Sequence, residues 1–252
     1  LSGGIDSTFA ALEYQNEHNI SHGLLIAGAD YPSQDSPGFI SLKSRVDKIA
    51  STLNLDLVVV ETSIRKHGFQ WEMLHTLNLA MCLNLNAHQF GFGVIAADWT
   101  LEQEFNHHPW GNNNRIISAF SNEQFPIHHI GSDHTRSQKA RKIIKDPSGV
   151  GEKISVCFED ISHGGNCGIC SKCIRTRLNI LTSGRETPEL FNRNDPLEKL
   201  IKKIPMPKGQ ARKLRALAVM LDIRDDLPDG VVKNEVFNYV ERLKRRLLPT
   251  GR

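Results

Sequence analysis

From the first residue onward, strand-sized apolar bursts alternate with amphipathic stretches, and few folds accommodate that order. Helical periodicity over residues 7–17 leads to the burst Gly23-Leu24-Leu25-Ile26-Ala27, and an amphipathic stretch over 40–53 leads to Leu57-Val58-Val59-Val60. A helical pattern over 69–88 leads to Phe92-Gly93-Val94-Ile95-Ala96-Ala97, followed by a helical stretch near Ile116 and by Phe125-Pro126-Ile127. Strands this short and apolar on both faces, with helices between them, predict an α/β fold built on a doubly wound, mainly parallel sheet. Ligands of such sheets gather beyond the carboxyl ends of the strands. The loops of interest are therefore residues 2–7, 27–36, 61–66 and 98–114.

The composition excludes several classes. The 252 residues are 39% hydrophobic and 23% charged, which is neither disordered nor fibrous, and they suffice for one large domain and an appendage. No apolar run nears the length that crosses a bilayer, and no charged segment leads into an apolar one as in a secretion signal. Lys and Arg number 31 against 28 Asp and Glu, too even for a nucleic-acid coat or a membrane-surface binder. The basic excess is local: from residue 193 to the end Lys and Arg outnumber Asp and Glu 15 to 8.

The opening Leu1-Ser2-Gly3-Gly4-Ile5-Asp6-Ser7-Thr8 sets two glycines and three hydroxylated residues immediately before an amphipathic stretch. Glycines let backbone N–H groups turn inward, hydroxyls add donors, and a helix N-terminus adds partial positive charge, so the segment suits a phosphate or pyrophosphate. Asp6 beside it suits the magnesium ion of a nucleotide. The alternative is a Gly-Gly turn with Ser7 as an N-cap.

Of five cysteines, Cys82 stands alone and four give the spacing C-x9-C-x2-C-x2-C at Cys157, Cys167, Cys170 and Cys173. An odd, clustered count without a secretion signal reads as metal ligation in a reducing compartment, which places the protein in the cytoplasm. Tight C-x2-C turns supply thiolates at tetrahedral corners, so the expected metal is zinc, with free thiols or an iron–sulfur cluster as alternatives. Four thiolates fill the coordination sphere, and such a zinc is structural. Lys172, Arg175 and Arg177 either offset its negative charge or face solvent. His163, nearby, is left outside the ligand set. The pairs His107-His108 and His128-His129, with His134, lack the spacing of a helical metal site.

Ser2-Gly3-Gly4-Ile5-Asp6-Ser7 resembles the PP-loop of the ATP pyrophosphatases in the adenine nucleotide alpha-hydrolase superfamily. The resemblance implies a Rossmann-like sheet, cleavage of ATP between its α and β phosphates, and an adenylated substrate. It also implies a first strand directly before the loop, of which this chain carries only Leu1. On the same basis Ala27 and Gly28 would line the adenine and ribose edge. Asp98 would bind magnesium or substrate, or else cap a helix. Arg136 and Lys139, three residues apart on one helix face, would stabilise the departing pyrophosphate.

Together, the loop and the four cysteines resemble the 7-cyano-7-deazaguanine synthase family. This likeness implies adenylation of a carboxylate followed by attack of ammonia. The family's Tyr-Pro-Asp-Cys segment has no counterpart here, where the chain reads Asp98-Trp99-Thr100-Leu101. The expected protein is therefore a divergent relative acting on another small carboxylate or carbonyl compound.

Thr187-Pro188 to Asp195-Pro196 divides an expected enzyme domain, residues 1–186, from a basic helical extension, residues 187–252. In the extension Leu214, Leu217, Ala218 and Leu221 recur at helical spacing beside Arg212, Lys213 and Arg215. This reads as a buried stripe with a wet basic face, or as a contact for RNA or a protein partner. A homodimer is compatible with the sequence. Two further classes stay open: a tRNA-modifying PP-loop enzyme, and a non-catalytic nucleotide- or zinc-binding partner module.

Overall fold

The apolar bursts form strands, and the strands pair in parallel. The computed structural model describes residues 1–18, 20–106, 110–157, 159 and 165–247. Helix α1 (Ile5–His18) leads to β1 (His22–Ala27), and α2 (Pro37–Thr52) carries the chain to β2 (Asp56–Glu61). Leu24 lies opposite Val58 and Ile26 opposite Val60 in this parallel pair. Helix α3 (Trp71–Leu85) then leads to β3 (Gly93–Ala96), followed by the short helices α4 (Leu101–Asn106) and α5 (Asn114–Ser118) and by β4 (Ile127–Ile130). Strand β4 pairs in parallel with β3, Ile95 facing His129. Helices α6 (Arg136–Lys145), α7 (Ser171–Leu181), α8 (Leu197–Lys203), α9 (Gln210–Asp226) and α10 (Val231–Leu247) complete the order.

Local chemistry accounts for these elements. Pro37 opens α2, where a missing N–H costs nothing, and Phe39, Leu42, Val46, Ile49 and Ala50 form its buried face. Parallel strands need such a crossover, because a tight turn can only reverse the chain. Strand β4 begins at Ile127 rather than Phe125: Pro126 has no N–H to donate and lends only its carbonyl, to Gly93 N at 2.9 Å. Helix α1 begins at Ile5, two residues before its apolar periodicity, so Asp6 and Ser7 lie in its first turn.

The architecture is thus mixed α/β with short parallel strands. One difference concerns the sheet. Among the described residues the strands form two separate two-stranded ladders, β1 with β2 and β3 with β4, instead of one continuous sheet. On β1 the Leu24 carbonyl accepts a hydrogen bond from the main-chain nitrogen of Leu1.

Ile5, Phe9 and Leu12 of α1 pack with Ala140, Ile143 and Ile144 of α6 and with Cys170 and Cys173. The described part of the C-terminal extension, expected as a basic helical tail, carries α8, α9 and α10, which share an apolar cluster with α7. There Ile174 and Leu178 meet Ile201, Met220, Ile223 and Tyr239. Each such buried side chain contributes about 1.5–3 kcal/mol, so α8 to α10 are held on α7 by burial. No helix among the described residues is long and apolar enough to cross a membrane.

Candidate functional site

Residues 2–4 turn the chain into α1, with Gly3 in the left-handed region at φ 76°. Ser2 N–H donates to Ser7 Oγ at 3.2 Å, and the two serine hydroxyls lie 3.0 Å apart, folding the loop onto the first turn of the helix. The Gly4 amide reaches Ser2 Oγ at 3.4 Å, a long bond. Gly3 in turn accepts from Ser155 N at 2.7 Å, which ties the loop to the segment leading into the cysteines.

Asp6 is where three sequence-predicted residues meet. Arg136 Nη2 lies 2.5 Å from its Oδ2, and Lys139 Nζ lies 3.5 Å from its Oδ1. Thr135 caps α6 and Gln138 completes a capping box, which fixes the turn that carries both cations. Lys139 is wholly buried and donates to the Ala97 carbonyl at 2.6 Å. Burial lowers its pKa, Arg136 adds to the effect, and Asp6 opposes it. Arg175 of α7 adds a third positive charge: burial first, then Arg136, pulls its pKa down to about 10. Cations concentrated beside donor groups at a helix N-terminus can bind an anion.

Asp98 follows β3 and is held by residues that sequence patterns do not single out. Trp110 Nε1 donates to its Oδ2 at 2.8 Å. His75 Nε2 is 3.4 Å from the same oxygen, an ion-pair distance. The other ring nitrogen, Nδ1, lies 3.1 Å from the Trp71 carbonyl. Both nitrogens therefore face acceptors, as an imidazolium requires. Burial alone would raise the Asp98 pKa, but His75, Arg136 and Trp110 outweigh it and bring it to about 2. Burial opposes the His75 charge too, and Asp98 overcomes it, so the His75 pKa is raised. His75 was hidden in the sequence by an apolar helix; Trp110 lies twelve residues beyond Asp98 in an irregular loop.

Gly28 ends β1 at φ 82°, and a Cβ there would fall 1.7 Å from the Thr62 carbonyl oxygen, so only glycine fits. A groove of about 270 Å³ opens here, lined by Gly28, Asp30, Tyr31, Thr62, Arg65 and Lys66 among others. Ala27 does not line it: it is fully buried, and its carbonyl accepts from Thr62 N at 3.0 Å.

The four cysteines converge. Their sulfurs all lie within 4.8 Å of one another, with Cys157 to Cys170 at 3.8 Å and Cys167 to Cys173 at 3.9 Å. Zinc–sulfur bonds of about 2.3 Å in a tetrahedron give sulfur separations of about 3.8 Å, so the set can hold a metal such as zinc. Backbone amides of Cys170 and Cys173 point to Cys167 Sγ at 3.3 Å and Cys170 Sγ at 3.4 Å. Asn166, wholly buried, fixes the segment before Cys157 and the turn at Leu190 to the cysteine loop. Its Oδ1 accepts from Val156 N at 2.8 Å, and its Nδ2 donates to the carbonyls of Ile154 at 2.9 Å and Leu190 at 3.1 Å. Arg177 donates to the carbonyls of Gly168 and Asp195 rather than standing in solvent.

No family model, curated protein or solved structure matches this chain.

The extension reaches both walls of the site. Asp222 of α9 accepts from Ser137 Oγ at 3.1 Å, next to Arg136, and Arg215 pairs with Glu72 at 3.0 Å while stacking 4.9 Å over Trp110. Among the described residues the four cysteines are the one close group of metal-ligand type. His129 bonds Asn112 instead, and His134 lies beside Asp133. His107, His108 and His163 lie outside the described residues.

Proposed function

We propose that this chain is a PP-loop-type ATP pyrophosphatase with a doubly wound α/β core. It would adenylate a carboxylate or carbonyl oxygen of a small molecule, releasing pyrophosphate, and leave the activated carbon open to ammonia or another nucleophile. The observation that carries this reading is the meeting of Arg136 and Lys139 with Asp6, at 2.5 and 3.5 Å, in the first turn after the glycine loop.

In this reading the amides and hydroxyls of Ser2, Gly3, Gly4 and Ser7 cradle the two terminal phosphates, and Gly28 borders the groove for the adenosine. Arg136 and Lys139 exchange Asp6 for phosphate oxygens and neutralise the charge that builds as the α–β bond breaks. Asp6 and Asp98, both acting on Arg136, are oxygen donors of the kind that holds magnesium. Bound magnesium would supply further neutralisation of the phosphates. Cys157, Cys167, Cys170 and Cys173 would hold a structural zinc, keeping Ser155 in place against Gly3. The cytoplasm is the compartment that suits four reduced thiolates.

Incubating the protein with magnesium, ATP and a cell metabolite extract tests this directly. Mass spectrometry is expected to find AMP and an adenylated or amidated metabolite. Formation of ADP and phosphate in place of AMP and pyrophosphate would overturn the proposal.

A further inference from the structure

Two buried polar atoms beside Asp98 face each other without bonding. His129 Nδ1 and Glu104 Oε1 lie 3.9 Å apart, on side chains only 2% and 9% exposed. Neither atom has a hydrogen-bond partner, and 3.9 Å is beyond the reach of a direct bond.

Neighbouring groups fix what each atom can do. Asn112 Nδ2 donates to the Ala96 carbonyl at 2.8 Å, which turns its Oδ1 towards His129 Nε2 at 2.9 Å. An amide oxygen only accepts, so the His129 proton sits on Nε2, and Nδ1 carries a lone pair. Glu104 Oε2 accepts from Asn114 N at 3.3 Å, and Oε1 is left as an acceptor. Two acceptors therefore confront each other in a buried place, and a donor with at least two hydrogens, a water or a protonated nitrogen, is what can bridge them. A single nitrogen about 2.9 Å from each atom spans that separation. The carboxylate favours such a nitrogen when it is positively charged.

We propose that Glu104 and His129 form a binding site for an amino nitrogen, either free ammonium or the primary amine of a small substrate. Asp98 and Lys139 are the charged groups that act on both residues, which sets the pair beside the candidate active site. Use of the nitrogen as nucleophile rests on the ligase reading; its binding does not. Burial raises the proton affinity of Glu104, so its carboxylate can take the proton that ammonium must lose before attack. His129, whose pKa burial pulls down to about 4, stays neutral and orients the nitrogen. As the C–N bond forms the C–O bond to AMP breaks, its electron pair leaving with the phosphate, whose oxygen takes the second proton.

Nitrogen NMR of the histidine rings in the full chain tests the site without ATP. His129 is expected as the Nε2–H tautomer, with its Nδ1 resonance shifting saturably on addition of ammonium chloride but not of sodium or potassium chloride. In Glu104→Gln the side chain keeps its shape but loses the carboxylate, and its NH2 replaces an acceptor facing Nδ1, so the fold should persist and the ammonium response vanish. A methylammonium response like that of ammonium would assign the site to a substrate amine; a response to ammonium alone would assign it to free ammonia. An equal response to potassium, no ammonium-specific shift in the unaltered protein, or a Glu104→Gln protein that still responds would overturn the proposal. Ammonium binding without AMP formation would leave this site standing and remove the ligase reading.

Discussion

Arg136 and Asp6, 130 residues apart in the chain, are joined side chain to side chain at 2.5 Å, so that α6 is fastened to the first turn of α1. A guanidinium here is fork-shaped and keeps its charge under burial, and Asp6 with Asp98 raises its pKa further. Arg136→Ala leaves Asp6 with Lys139 alone, at 3.5 Å. Urea unfolding is expected to show a loss of about 1–3 kcal/mol. Calorimetry with inorganic pyrophosphate is expected to show affinity weakened about tenfold. Arg136→Lys should recover only part of that affinity, because a single ammonium cannot replace the fork.

The His75–Asp98 contact predicts a defined pH response. The lowered Asp98 pKa, about 2, gives stability that is complete above the ordinary 3.8 and lost as pH falls from there through about 2. The raised His75 pKa gives stability that is complete below the ordinary 6.5 and lost as pH rises through the folded value. These are two faces of one interaction and count once. In Asp98→Asn burial acts on His75 against only the backbone hydrogen bonds to Trp71 and Glu72, so its pKa, followed by NMR titration, should fall from its raised value. An unchanged His75 titration would contradict the pairing.

Gly168 separates the effect of backbone space from that of conformation alone. Its φ is 83°, and a Cβ would lie 1.9 Å from the Arg193 carbonyl oxygen; Gly184, at φ 75°, has no atom within 4 Å of its Cβ position. Gly168→Ala is expected to lose metal from the four cysteines. Gly184→Ala should retain about one zinc per chain and lose about 1–2 kcal/mol of stability to strain. Elemental analysis of both proteins checks this. Iron in place of zinc in the unaltered chain would contradict the assignment.

Ile223, fully buried against the α7 cluster, tests whether the extension is part of the folded body. Ile223→Ala should cost about 2–4 kcal/mol in denaturant unfolding, with one cooperative transition. A separate early transition would show α8 to α10 unfolding independently of α7.

Much of this arrangement is legible in the sequence, and the rest fails for identifiable reasons. Alternating bursts and helices predict the parallel pairs, although the strands are not buried on both faces. In β1 buried Leu25 and Ala27 alternate with half-buried Leu24 and Ile26, and β2 has no fully buried residue. Cysteine spacing predicts the sulfur cluster, since C-x2-C turns hold their geometry locally. Asp98 stands out at a strand end, but its partners His75 and Trp110 are brought to it by tertiary packing. Asn166 and Asp222 carry no pattern either: each matters through hydrogen bonds to distant segments. Glu104 and His129 are inconspicuous for the same reason, since the defining relation is a gap between two side chains from different elements. The extension's basic periodicity marks helices but does not say that Arg215 turns inward to Glu72 and Trp110.

The central claim concerns where the triphosphate sits. A crystal structure of the protein soaked with magnesium and a non-hydrolysable α,β-bridged ATP analogue tests it most directly. The expected result is density for the β and γ phosphates on the amides of residues 2–4, with Arg136 swung from Asp6 onto a phosphate oxygen. Nucleotide bound elsewhere, with Arg136 still on Asp6 and the loop bare, would contradict the account.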